Sequence, residues 1–149
     1  MKRHKQWLGA AAIPLVVACA AGKADGAAMG AGEPVTGVEW RVERITVGGE
    51  HLPAPATGSP HLRIGTDGSA AGNLGCNRFS ARVAVHGDRI TFGALRTTKM
   101  ACDPDRMSFE RALAKALDGQ TLTGAAEHGE LTLTSGHGDR VHLTRGTPE

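Results

Sequence analysis

Apolar and polar residues alternate over short segments between about residues 35 and 145. Val38, Trp40 and Val42 alternate with charged residues, and the apolar positions change parity near Arg44, which predicts a β-bulge there. Similar segments, separated by turns rich in Gly and Asp, lie at residues 62–64, 70–74, 79–85, 90–92, from 122 onward, 131–133 and 141–143. Residues 129–145 form the clearest predicted hairpin. The pattern indicates a sheet of short antiparallel strands.

One segment has a helical period instead. Asp103 suits a helix N-cap, Pro104 suits the first helical position, and Gly119 suits the end. Apolar residues recur between them at spacings of three and four, at Phe109, Ala112, Leu113, Ala116 and Leu117. We therefore predict an amphipathic helix from Pro104 to Asp118. A single helix among antiparallel strands indicates an α+β domain, with the helix covering one face or one mouth of a curved sheet.

The N-terminus has the pattern of an export signal. Lys2, Arg3 and Lys5 precede an apolar run of about twelve residues, which is too short to span a bilayer as a helix but typical of a signal peptide. The run ends in residues 15–19, Leu-Val-Val-Ala-Cys, which resemble a bacterial lipobox. This resemblance implies cleavage before Cys19 and lipidation of Cys19. The alternative is an ordinary signal peptide cleaved near Ala20 or Ala21.

These patterns divide the chain into a signal peptide at 1–18, a flexible tether rich in Ala and Gly at 19–34, and one domain at 35–146. The whole chain has 17 Lys and Arg and 15 Asp and Glu. Removal of the signal removes three of the basic residues and no acidic residue, so the mature chain is close to neutral. We therefore expect no nucleic-acid partner. The predicted location is outside the cytoplasmic membrane, attached to it through the lipid, and the expected state is a monomer.

The three cysteines have two predicted roles. Cys19 is assigned to the lipid, which leaves Cys76 and Cys102 as a pair. Export favours a disulfide between them, and the chain has no Cys-x-x-Cys motif of the thioredoxin type. Free thiols and a metal pair remain as alternatives.

Two strings in the domain resemble a known family. Residues 72–80 read Gly-Asn-Leu-Gly-Cys-Asn-Arg-Phe-Ser, and residues 98–102 read Thr-Lys-Met-Ala-Cys. With Trp40 before them and Glu110 after them, they resemble the META domain (HslJ-like) pattern, with Ala81 where the family prefers Gly. The resemblance implies a strongly curved, barrel-like antiparallel sheet with one helix. It also implies a secreted or membrane-attached bacterial protein linked to stress and antibiotic tolerance, with no established enzymatic activity.

Candidate binding residues come from the same strings. Asn77, Arg78 and Lys99 offer directional donors. In the structural alternative Asn77 lies in a turn, Phe79 fills the core, and Arg78 either extends along the surface to solvent or pairs with a carboxylate. The mature histidines lack the spacing of a catalytic zinc site. We therefore predict no catalytic residue, no metal and no cofactor.

The predicted function is a non-enzymatic, lipid-anchored, extracytoplasmic protein that binds an unidentified envelope protein or ligand, or supports the envelope under stress. The alternatives are an inhibitor of exported proteins or an enzyme acting among them. A folding accessory for exported proteins is a further alternative, for which we expect an exposed apolar groove.

Overall fold

The computed structural model describes residues 33–146, so the predicted signal peptide, Cys19 and nearly all of the predicted tether lie outside the described residues. The described part contains ten strands and one helix. They are β1 (Glu39–Val47), β2 (Glu50–Pro53), β3 (His61–Ile64), β4 (Ser69–Asn73), β5 (Arg78–His86), β6 (Arg89–Phe92), β7 (Arg96–Thr97), α1 (Pro104–Leu117), β8 (Thr121–Glu127), β9 (Glu130–Thr134) and β10 (Arg140–Arg145). No helix in this range is long and apolar enough to cross a membrane.

Eight of the strands form a closed antiparallel barrel. Hydrogen bonds join them in the order β10, β9, β8, β6, β5, β4, β3 and β1, and β1 pairs again with β10 to complete the ring. The short strands β2 and β7 lie outside the ring and pair with β1 and β5. The prediction of a strongly curved antiparallel sheet with one helix, in an α+β domain, is confirmed.

The predicted bulge in β1 is present. The register between β1 and β10 shifts between Val42 and Arg44. Beyond the shift, the side chain of Ile45 is buried, and Val47 is 40% exposed. A bulge bends a strand and increases its twist, and here it lies where β1 passes from pairing with β3 to pairing with β2.

The barrel interior is filled by side chains from every wall strand, as expected for a ring of eight strands. Trp40 is fully buried, and its indole N–H donates to the Val35 carbonyl over 2.9 Å. The helix adds Phe109, Leu113 and Leu117 to the same core. Helix α1 starts at the predicted residue, where the Asp103 carboxylate accepts from the Arg106 amide, and it ends one residue earlier than predicted.

Candidate functional site

The predicted disulfide is present. It joins Cys76, in the loop between β4 and β5, to Cys102, which lies directly before the N-cap of α1. The two Cα atoms are 6.0 Å apart and the residues are separated by 26 positions. The bond therefore fastens the start of the helix to the loop that contains the most distinctive string of the sequence.

A buried carboxylate fastens the same loop from further along the helix. Glu110 Oε1 accepts from the backbone N–H groups of Cys76 and Asn77 over 3.0 and 2.6 Å, and Glu110 is only 8% exposed. One turn earlier, the Arg106 side chain donates to the Gly75 carbonyl over 2.9 Å. The helix thus supplies partners for the polar backbone groups of a loop that water does not reach.

Asn77 completes this set of contacts, which we call the Asn77–Glu110 node. Its amide nitrogen donates to Glu110 Oε2 and to the Met100 carbonyl over 2.6 and 3.0 Å. Its amide oxygen accepts from the Thr98 hydroxyl and the Met100 N–H over 2.8 and 2.6 Å. An Asn side chain has two donors and two acceptor sites, so all four are used. The structure therefore places Asn77 inside the fold, where it leaves no polar atom free for a ligand.

The helix sequence contains a signal for Glu110. Glu110, Leu113 and Leu117 follow one another at spacings of three and four, so the carboxylate lies on the buried face of α1. A charged residue on such a face needs buried partners. The family pattern marks the position, but its partners are more than 30 residues away in the chain.

Arg78 lies on the outer side of the same loop, in a recess on the outer surface of β3, β4, β5 and β7. The recess has a volume of about 680 Å³. Its floor contains Ala71 and Ser80. Its basic side chains are His61, Arg63, Arg78 and Arg96, and its acidic side chain is Glu39. We call this surface the arginine recess. Thr98 lines it as well and accepts from the Arg78 backbone N–H, so the recess adjoins the Asn77–Glu110 node. Lys99 is exposed but does not line the recess.

The arginines of the recess have no carboxylate partner among residues 33–146. Glu39 lines the recess as well and lies opposite Arg63 in the sheet register, and its carboxylate lies 3.5 Å from the His61 ring. In the turn after β3, the Ser69 hydroxyl donates to the Asp67 carboxylate and lowers the pKa of that carboxyl. Of the two structural roles considered for Arg78, pairing with a carboxylate is thus not found in the described part of the chain.

The exposure of Arg78 leads to a prediction about stability. Replacing Arg78 with alanine is expected to change the free energy of unfolding by less than about 0.5 kcal/mol, because an exposed side chain without a partner contributes little to folding. Thermal unfolding of the purified chain measures this effect. A decrease of several degrees in the melting temperature would show that Arg78 supports the fold.

A second cavity, of about 390 Å³, lies between α1 and the ends of several strands. Its walls combine Leu52, Leu122 and Val141 with charged residues such as Lys115 and Asp139. Leu122 and Val141 are themselves at most 2% exposed.

Within residues 33–146, no three His, Cys, Asp or Glu side chains are grouped in a way that suits a metal ion.

Comparison with known proteins agrees with this architecture. An NMR structure of a protein from Burkholderia xenovorans superposes with a TM-score of 0.65 at 23% identity, covering 92% of this chain and 99% of that chain. A second NMR structure superposes with a TM-score of 0.56 at 19% identity, covering 74% and 90% of the two chains. At these identities the likeness shows the fold alone. No curated protein sequence matches the chain. The META domain model matches residues 33–147, which is more than half of the sequence, and the chain therefore belongs to the META domain family.

Proposed function

We propose that this META domain is a non-enzymatic binding module held outside the cytoplasmic membrane by a lipid on Cys19, with a role in binding or in support of the envelope under stress. One observation carries the proposal. Three exposed arginines from separate strands, Arg63, Arg78 and Arg96, line one recess, and none of them forms an ion pair with a carboxylate among residues 33–146, although Glu39 also lines the recess.

The stability of the fold does not depend on the positive charges of these three arginines. None of the three arginines forms an ion pair within residues 33–146, and exposed charges of this kind contribute little to the stability of the folded chain. Binding of a negatively charged partner would explain why three arginines line one recess, whereas packing within the domain does not. The Asn77–Glu110 node and the disulfide hold the loop beside the recess in one conformation, and a preorganised surface loses less entropy on binding.

The support for a lipid anchor comes from the sequence. Cys19 follows an apolar run in the arrangement of a lipobox, and the disulfide fits an oxidising compartment outside the cytoplasm. A diacyl or triacyl anchor is strong enough to hold a domain at the membrane, because each buried CH₂ contributes about 0.8 kcal/mol. The proposed module is a monomer that needs no cofactor and does not bind nucleic acid.

Replacing Cys19 with serine is expected to move the protein from the membrane fraction to the soluble extracytoplasmic fraction, because it removes the site of lipid attachment. Cell fractionation with immunoblotting measures the distribution. The neighbouring change Ala20→Ser is a matched control that keeps the cysteine and should leave the protein in the membrane. A Cys19→Ser chain that stays in the membrane would contradict the lipid anchor.

The binding role has its own test. Chemical cross-linking of intact cells, followed by purification from solubilised membranes, should yield a discrete adduct of the wild-type chain. Turnover of a defined substrate by the purified chain would overturn the proposal in favour of the enzyme alternative.

One observation favours the alternative of an inhibitor. Met100 is 57% exposed, although its backbone N–H and carbonyl both bond to Asn77 and the disulfide follows two residues later. An exposed apolar side chain on a backbone held in place by such contacts is suited to insertion into a pocket of another protein. An adduct that is lost on Met100→Ala but kept when the arginines are changed would favour this reading.

A further inference from the structure

We propose that the arginine recess binds a linear polyanion whose charged groups are phosphates. This inference rests on the proposed binding function and adds the chemical class of the ligand. It is carried by the order of side chains on the outer surface, the chemistry of the guanidinium group and the charge balance of the rest of the domain.

The register of the sheet gives the recess its shape. Arg63 on β3 lies opposite Ala71 on β4, Ala71 lies opposite Ser80 on β5, and Ser80 lies opposite Arg96 on β7. Neighbouring strands are about 4.8 Å apart, so the two arginines stand about 14 Å apart across a floor of two small side chains. The result is a trough, parallel to β4 and β5, with an arginine on each side. Beyond Arg63, the same row continues to Glu39 on β1.

Further cations continue the trough along the strands. Two residues away, a second row has Arg41 and Arg78 at its ends, with His61 and the neutral Asn73 between them. Two residues of a strand span about 7 Å, so a chain lying in the trough meets arginines of one row and then of the next. This arrangement suits an extended ligand with repeated anionic groups better than a single small ion.

The flanking guanidinium groups favour phosphate over carboxylate. Each guanidinium presents a planar fork of N–H donors that matches phosphate or carboxylate oxygens in a bidentate manner. An anion between two such walls needs acceptor oxygens that point in both directions. Each phosphate of a linear polymer keeps two free oxygens that diverge to either side of the chain axis, whereas the two oxygens of a carboxylate on a side branch point to the same side.

The aromatic residues argue against nucleic acid as the polymer. Trp40, Phe79, Phe92 and Phe109, the aromatic residues of the described range, are at most 4% exposed. Proteins that bind single strands without base pairing stack the bases on exposed aromatic rings. The structure therefore points to a phosphate polymer without bases.

The charge of the recess is local. Residues 33–146 contain 13 Lys and Arg and 13 Asp and Glu, so the domain as a whole is neutral. A non-specific attraction to polyanions is not expected from such a balance, and binding should depend on the position of the arginines and not on their number.

The test uses the full chain purified from membranes in detergent and titrated with linear polyphosphate of defined length. The recess variant R63Q/R78Q/R96Q is compared with R89Q/R111Q/R140Q, which removes three exposed arginines elsewhere and changes the net charge equally. We expect the recess variant to lose about 10- to 100-fold in affinity and the control less than about 3-fold. The slope of log K against log salt should fall by about 2 in the recess variant, at about 0.7 per phosphate contact on a flexible chain. Unfolding curves confirm that both variants remain folded.

Equal losses in the two variants, or no binding of polyphosphate by the wild-type chain, would overturn the inference. Three further probes define the ligand: polyglutamate, a single-stranded DNA oligonucleotide and vesicles containing anionic lipid. Binding of any of these more tightly than polyphosphate would overturn the phosphate-polymer assignment. Failure of every anion, with a discrete cross-linked adduct still formed in cells, would refute this inference and leave the proposed binding function in place. Loss of the adduct as well would refute both.

Discussion

Replacing Glu110 with alanine is expected to lower the free energy of unfolding by about 3–5 kcal/mol. The change leaves three buried donors without an acceptor, namely the backbone N–H groups of Cys76 and Asn77 and the Asn77 amide nitrogen. Each unsatisfied buried donor costs about 1–3 kcal/mol, and the contacts are not independent. A loss of this size is a large part of the total stability of an ordinary domain. Equilibrium unfolding in urea measures it.

Two further variants sharpen this test. Glu110→Gln keeps an acceptor for the two backbone groups but places an amide nitrogen against that of Asn77, so we expect a loss of about 1–3 kcal/mol. Asp105→Ala removes an exposed acid from the first turn of the same helix and should cost less than about 1 kcal/mol. The role of Glu110 would be refuted if Glu110→Ala and Asp105→Ala destabilised the protein equally.

Removing the disulfide is expected to have the second largest effect. The double change Cys76→Ala and Cys102→Ala should lower the free energy of unfolding by about 3–4 kcal/mol, because the unfolded chain regains the freedom of a loop of about 26 residues. Urea unfolding of the oxidised wild type and the double variant measures the difference. Combined with Glu110→Ala, the loss should be smaller than the sum, because both contacts restrain the same loop.

The thiol count provides an independent check on the disulfide. Unfolded wild-type protein from the exported fraction should contain no thiol that reacts with an alkylating reagent when Cys19 carries its lipid. Two reactive thiols per molecule would show that Cys76 and Cys102 are free and would remove the basis of this prediction.

Local patterns in the sequence predicted most of the elements and missed the features that depend on distant residues. The alternation around Trp40, the bulge near Arg44 and the helix from Pro104 are all visible within a few residues. The closure of the barrel cannot be seen in a short segment, because it pairs Trp40 with Arg145, about a hundred positions away. Strands β2 and β7 were also missed, since β7 has only two residues and β2 ends in proline at the margin of the sheet.

The candidate site also combines residues that a local motif indicates with residues that only the strand register brings together. Arg78 was a candidate from its motif, but the motif gives no indication of Arg63 or Arg96, which the strand register brings beside it. Lys99, a candidate from the second string, does not line the recess. The four hydrogen bonds of the Asn77 side chain agree with the structural alternative for this residue, whereas the sequence marks its partner Glu110 only through the family pattern.

The central claim is that the outer face of β4 and β5 is the surface through which this protein binds. Site-specific photo-cross-linking in living cells tests it most directly, with the reactive group placed at Ser80 in the recess floor or at Thr123 on the outer face of β8. Both positions are exposed. The account predicts adducts from position 80 that disappear in the R63Q/R78Q/R96Q background, and no adducts from position 123. Equal labelling from both positions, or adducts from position 123 alone, would contradict it.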